Sequence, residues 1–161
     1  MDRRVEFVND LARYIHEGRD IIYFDETTSN IWDKRTKVWQ YPKDPIKYTI
    51  PAVRGSGVTI FGSISNLFSA PIITIGSSTN KFDVETHFMT VFRRIIYKPN
   101  VIIVLDNHRS HSAGIVNTLL EDNKVKALYL PPNGSFLNPI ERYWAYFKKA
   151  LSRIYMEMNG T

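Results

Sequence analysis

Cysteine is absent from the 161-residue chain, which excludes disulfide bonds and thiolate metal sites. No apolar run approaches the roughly 20 residues that a membrane-spanning helix needs. The N-terminus also lacks the basic and apolar segments of a secretory signal. We therefore expect an intracellular protein without a membrane partner.

The residues that are present favour one folded domain over residues 1–161. Hydrophobic residues make up 43% of the chain and aromatic residues 13%, enough for a sizeable core. The formal net charge of +5 suits a polyanionic partner such as nucleic acid, although the same excess also serves solubility.

Hydrophobic periodicity predicts a mixed sheet covered by helices. The early strands follow one another in a meander, and the later strands alternate with helices. This order of elements indicates a mixed sheet. The predicted strands are 21–24, 57–64, 71–75, 101–105 and 127–130, with a further strand or hairpin arm over 28–38 and an irregular segment over 41–51. The predicted helices are 3–17 (Val5, Val8, Leu11, Ala12 and Ile15 at helical spacing), 82–96, 112–122 and a final helix over 140–158.

Three carboxylates are placed where a metal site could form. Asp25 and Asp106 each follow an apolar run, and Glu141 lies at the start of the final helix. Each also has a structural explanation, because Asp25 could open a turn and Asp106 could cap one. Glu141 would occupy the third position of a helix that Asn138 caps and Pro139 begins, a variant of the capping box.

Taken together, the three acids favour a bound divalent cation. Ligands gather beyond the carboxyl ends of central strands, where Asp25 and Asp106 are expected to lie. Clustered carboxylates repel one another unless cations or protons neutralise them. Hard cations such as Mg²⁺ prefer oxygen ligands.

Three segments carry a resemblance to a known family. They are FDETT at 24–28, VLDNHRSH at 104–111 and LPPNGSFLNPIERYW at 130–144. These motifs resemble the catalytic signatures of mariner-superfamily DDE transposases and related bacterial insertion-sequence transposases. Thirty-four residues separate Asp106 from Glu141, as is frequent in that family. The resemblance covers most of the chain, from about Asp20 to Leu151.

The resemblance implies a ribonuclease H-like α/β fold, with a five-stranded mixed sheet flanked by helices. It implies that Asp25, Asp106 and Glu141 are catalytic and hold two Mg²⁺ ions, for which Mn²⁺ can substitute. The implied enzyme is a metal-dependent DNA transposase that cleaves transposon-end phosphodiesters and transfers the 3′-hydroxyl to target DNA. The implied partners are transposon-end and target DNA, with a homodimer for the full-length protein and a nuclear location in a eukaryotic host. The family's N-terminal DNA-reading modules are expected to be absent.

Four residues are candidates for supporting roles around the acids. Asn107 could hold the metal ligands by a hydrogen bond, and His111 matches a histidine of the family motif. Arg109 and Arg142 are candidate phosphate contacts. Lys148 and Lys149 are instead predicted to form the solvated side of the final helix.

One loop departs from the family pattern and keeps other functions open. The family tends to have Tyr-Ser-Pro after its two prolines, whereas this chain has Asn133, Gly134 and Ser135. A loop that loses a proline and gains a glycine is expected to be less rigid, which affects the aim of Glu141. The alternatives are a domesticated or decayed domain that binds DNA or protein without catalysis, and a ribonuclease H-like nuclease that cuts without joining.

Overall fold

The computed structural model describes residues 2–29, 57–76, 81–96, 98, 100–106 and 114–158. Its helices are α1 (Arg3–His16), α2 (Lys81–Ile95), α3 (Ile115–Asp122) and α4 (Ile140–Met158), with a short 3₁₀ helix at Ser135–Leu137. Its strands are β1 (Asp20–Ser29), β2 (Val58–Ile64), β3 (Ile72–Gly76), β4 (Val101–Leu105) and β5 (Lys126–Tyr129). Among the described helices, none is long and apolar enough to span a membrane.

The five strands form one mixed sheet in the order β3-β2-β1-β4-β5. The β1-β2 and β2-β3 pairs are antiparallel, whereas β1-β4 and β4-β5 are parallel. This arrangement confirms the predicted ribonuclease H-like fold. It also confirms the meander of early strands and the later alternation of strands with helices. Of the strand or hairpin arm predicted over 28–38, residues 28 and 29 belong to β1 and the rest lies outside the described residues, as does the irregular segment over 41–51.

Helices cover both faces of the sheet because β1 and β4 are apolar on both sides. Phe24 and Ile103 point to the face under α2 and α3, where Phe88 completes a cluster of buried side chains. Ile21 and Val104 point to the opposite face, under α1. On that same face, α4 packs over β2 through two further buried residues, Ile140 and Trp144.

The residues that the first helix packs against the core overlap with its predicted aliphatic set only at Leu11, which is partly buried. Phe7 and Tyr14 are buried against β1 and β4, whereas Val5 and Ile15 are about half exposed. Two aromatic rings seven residues apart remove more apolar surface from water than the smaller aliphatic stripe would. The helix itself is confirmed, with Asp2 accepting a hydrogen bond from the backbone of Arg4 at its start.

The prediction that the first strand ends at Phe24 is wrong. β1 continues to Ser29, and Asp25 lies opposite Gly62 in the antiparallel pairing with β2. The parallel pairing with β4 stops at Tyr23, so β1 extends beyond β4 on one side only. An antiparallel partner supplies the hydrogen bonds that a free strand end would lack, which allows the polar residues after Asp25 to remain in the strand.

Candidate active site

The pairing of β1 with β4 explains how the two aspartates come together. The last parallel pair joins Tyr23 to Val104, and each aspartate lies two residues further along the chain, Asp25 within β1 and Asp106 directly after β4. Side chains alternate between the faces of a sheet, so residues two apart point the same way. Asp25 and Asp106 therefore lie side by side at one edge, on the face that α4 covers.

Helix α4 brings the third acid to the same place. Glu141 lies in its first turn, and the backbone N–H of Glu141 donates to the carbonyl of Asn138 at 3.2 Å. The three acids line one open cleft of about 430 Å³. The other lining residues are Glu26, Thr27, Trp144, Ala145 and Lys148.

The environment of Asp25 disfavours its charged form. The pKa of the Asp25 carboxyl is raised from 3.8 to about 7, first by burial and then by the negative charges of Glu141 and Asp106. Hydrogen bonds from the backbone N–H of Glu26 and from the indole of Trp144 act in the opposite direction and lower the pKa. A cation beside this carboxyl would remove the two repulsions and favour the ionised form.

Two functional contacts were missed by the sequence reasoning. The indole Nε1 of Trp144 donates to Oδ2 of Asp25 at 3.0 Å, although the periodicity of α4 indicates only an apolar role for this residue. Lys148 is exposed, as we expected for the solvated side of the helix, and it also lines the cleft of the acids. The sequence does contain an indication for both residues. Trp144 and Lys148 follow Glu141 by three and seven residues, and this helical spacing places them near the face of α4 that carries Glu141.

Of the four predicted supporting residues, only Arg142 lies within the part of the chain that the structure describes. Arg142 is exposed on α4 and is absent from the described lining of the cleft. Asn107, Arg109 and His111 lie outside the described residues, so their supporting roles stay predictions.

The donor set suits a hard divalent cation, since all three side chains offer carboxylate oxygens. Within the described ranges, no group of three or more acidic or histidine side chains is already arranged to hold a metal ion. The acids thus share a cleft and repel one another electrostatically, without forming a three-ligand site for one ion.

The profile of the family described as DDE superfamily endonuclease matches residues 20–158. The chain belongs to this family. The match includes all three acids and extends past the predicted resemblance into the last turn of α4. A comparison with curated protein sequences found no significant match.

Solved structures of the Mos1 mariner transposase share the fold of this DDE family member. The paired-end complex with Mn is 23% identical with a TM-score of 0.73, and the match covers 94% of this chain and 48% of that one. The strand transfer complex is 24% identical with a TM-score of 0.72, over 94% and 48% of the two chains. The isolated Mos1 catalytic domain is 20% identical with a TM-score of 0.64, over 94% and 71%. The chain spans about half the length of the full Mos1 chains that it matches.

Proposed function

We propose that this chain is the catalytic domain of a DNA transposase, which cleaves phosphodiesters at transposon ends and transfers the resulting 3′-hydroxyl to target DNA. The observation that carries the proposal is the convergence of Asp25, Asp106 and Glu141 on one open cleft. Membership of the DDE endonuclease family supports the assignment. So does the likeness to Mos1 complexes with transposon ends and in the strand-transfer state.

Divalent cations are the cofactors that fit this cleft. Mos1 structures contain Mn in one case and Mg in another. We infer that Asp25, Asp106 and Glu141 hold two Mg²⁺ ions, with Mn²⁺ as a substitute. Two bound ions would activate the attacking oxygen and stabilise the leaving oxygen of the phosphodiester. If each ion is shared by two acids, the lack of a three-acid cluster in the described chain is no obstacle.

The residues of the cleft have separate tasks in this proposal. Asp25 lies in β1 and Asp106 directly follows the adjacent strand β4, so the paired strands give both acids a rigid base. Glu141 approaches from the helix on the same face. Lys148, one turn beyond Trp144, offers the cleft a positive charge that can bind a backbone phosphate.

The partner that we propose is DNA, both transposon ends and target. The cleft is open, so it can admit a nucleic acid strand, and the net charge of +5 favours a polyanion. For the full-length protein we propose a homodimer. We propose an intracellular location, nuclear in a eukaryotic host.

Nicking of supercoiled plasmid in the presence of Mn²⁺ tests the proposal. We expect the unmodified chain to nick DNA and Asp106→Asn to abolish nicking. Asp122→Asn, which changes an exposed aspartate on α3, is the matched control and should leave nicking intact. Nicking that persists in Asp106→Asn would rule out this active site.

The changed loop at 133–136 favours one alternative, a domain that binds DNA without catalysis. DNA binding without metal-dependent nicking would support that alternative. Joining assays with pre-cleaved transposon-end DNA distinguish the transposase from a nuclease of the same fold, because a nuclease cuts without forming joined products.

A further inference from the structure

Two side chains of the α4 region reach across to neighbouring residues of β1. Asn138 lies three residues before Glu141, and its Nδ2 donates to the carbonyl of Phe24 at 3.2 Å. Trp144 lies three residues after Glu141, and its Nε1 donates to the carboxylate of Asp25 at 3.0 Å. The two donors thus lie on either side of Glu141 in the sequence, and their acceptors are Phe24 and Asp25 of β1.

Both side chains are almost completely buried, with exposed fractions of 2% for Asn138 and 3% for Trp144. A buried amide or indole N–H without a partner is unfavourable, so each side chain is held to its acceptor. The other half of the Asn138 amide is also used, since its Oδ1 accepts from the backbone N–H of Ile140 at 3.4 Å. Asn138 therefore joins the start of α4 to β1 through both ends of its amide.

Gly62 provides the space in which the indole lies. It is the β2 residue directly opposite Asp25. A methyl group on Gly62 would lie 2.5 Å from Cη2 and 2.7 Å from Cζ2 of Trp144. Contacts that short do not occur, so the six-membered ring of the indole lies directly against the glycine backbone.

We infer that Asn138 and Trp144 are positioning residues that fix the Glu141 helix relative to Asp25, and that Gly62 is required for this arrangement. We call the three residues the α4–β1 clamp. The inference rests on the proposed function, because it assigns the clamp to the metal-binding acids. Within the clamp, the indole N–H of Trp144 donates to Oδ2 of Asp25. This hydrogen bond fixes the orientation of the carboxylate that would bind a cation.

A hydrogen bond to a ligating carboxylate is expected to change metal affinity. Loss of such supporting partners reduces metal affinity or activity by about 10-fold to 100-fold in other metal sites. A residue with only a packing role would instead lower the stability of the fold and leave the affinity of the folded protein unchanged. Metal affinity therefore separates the two roles.

The first test is Trp144→Phe, which keeps an aromatic ring and removes the N–H. Mn²⁺ binding to the folded protein is measured by calorimetry, with nicking measured across a Mn²⁺ titration. We expect the dissociation constant to rise by about 10-fold, and nicking to recover at high Mn²⁺ concentration. Tyr146→Phe is the matched control, because it also removes one polar hydrogen from an aromatic residue of α4, at a largely exposed position.

The second test is Gly62→Ala, which displaces the indole without removing a polar group. We expect a similar loss of Mn²⁺ affinity. In the Trp144→Phe background the alanine should have a much smaller effect, because phenylalanine lacks the two indole atoms that the new methyl group would meet and only Cδ1 of Ile140, at 3.2 Å, remains close. The effect of Gly62→Ala is thus compared between the parent and Trp144→Phe. This comparison of Mn²⁺ affinities holds even if the single variants are less stable than the parent.

The outcomes separate the clamp from the proposed function. Parental Mn²⁺ affinity in both folded single variants overturns the clamp and leaves the transposase proposal standing. A parent that binds Mn²⁺ but never nicks DNA, with weakened binding in both variants, supports the clamp and overturns the catalytic proposal. A parent that binds no Mn²⁺ overturns both.

Discussion

Replacing Asp25 with asparagine should change how the stability of the metal-free protein depends on pH. The pKa of Asp25 is raised from 3.8 to about 7 in the folded protein, with burial as the largest cause. Between these values the folded protein holds a proton that the unfolded chain has released. The contribution of protonated Asp25 to the free energy of unfolding is complete below the pKa of the unfolded chain. It is lost as the pH rises towards the pKa of the folded protein, by about 1.4 kcal/mol per pH unit. Over the whole window the loss is about 4 kcal/mol.

A second buried group opposes this effect in the parent protein. His87 is fully buried in the core, and burial lowers its pKa from 6.5 to about 4. Here the unfolded chain binds the proton that the folded protein excludes, so stability rises with pH between these two values. The slopes from Asp25 and His87 have opposite signs and similar size. We therefore expect a shallow pH dependence in the parent and a steep rise with pH in Asp25→Asn.

Urea-induced unfolding in the presence of a chelator measures the effect at intervals from about pH 4.5 to about pH 8. The decisive quantity is the free energy of unfolding of the variant minus that of the parent, because groups that do not interact with Asp25 cancel in this difference. This difference should grow by several kcal/mol as the pH rises. Asp122→Asn, at an exposed position, is the control and should give a constant difference. A constant difference for Asp25→Asn as well would refute the reasoning.

Three further predictions concern the core, the metal and the loop. Ser63→Ala removes the hydroxyl that lies 2.8 Å from Nε2 of His87, and should lower the free energy of unfolding by about 1–3 kcal/mol in urea. At 100 times its dissociation constant, Mn²⁺ should stabilise the parent by about 2.7 kcal/mol near pH 8, and Asp106→Asn much less, as a thermal shift would show. Gly134→Ala should lower the free energy of unfolding by about 1–3 kcal/mol, because its methyl group would lie 2.6 Å from the carbonyl oxygen of Pro131.

The sequence predicted the elements well because their signals are local. The final helix, the strand over 101–105 and the antiparallel pair around Asn66 all depend on periodicity and on nearby turn residues. The extent of β1 was not predictable in this way. The polar segment after Asp25 has the composition of a turn, and it stays in the sheet because it pairs with β2, which follows much later in the chain.

The candidate site was predictable in its acids and not in its supporting contacts. Spacing and motifs identified Asp25, Asp106 and Glu141, but a periodic pattern treats Trp144 only as an apolar residue. Likewise, Asn138 is a residue type that commonly caps a helix, which the sequence shows. Its further hydrogen bond to the carbonyl of Phe24 depends on the packing of α4 over β1. Side-chain polarity can be read along a chain, whereas the partner that satisfies it is fixed by tertiary structure.

The changed loop before Glu141 bears on whether the site can act. Gly134 donates to the carbonyl of Pro131 at 2.9 Å, and Asn138 donates to the carbonyl of Ser135 at 2.8 Å. Glu141 then donates to the carbonyl of Asn138, so short hydrogen-bonded turns follow one another from the prolines to the acid. The glycine is needed for this path, since a side chain at 134 would collide with Pro131. The substitution that looks like a loss of rigidity in the sequence is therefore a requirement of a tight turn. The direction of Glu141 is then set twice, by these turns and by the α4–β1 clamp.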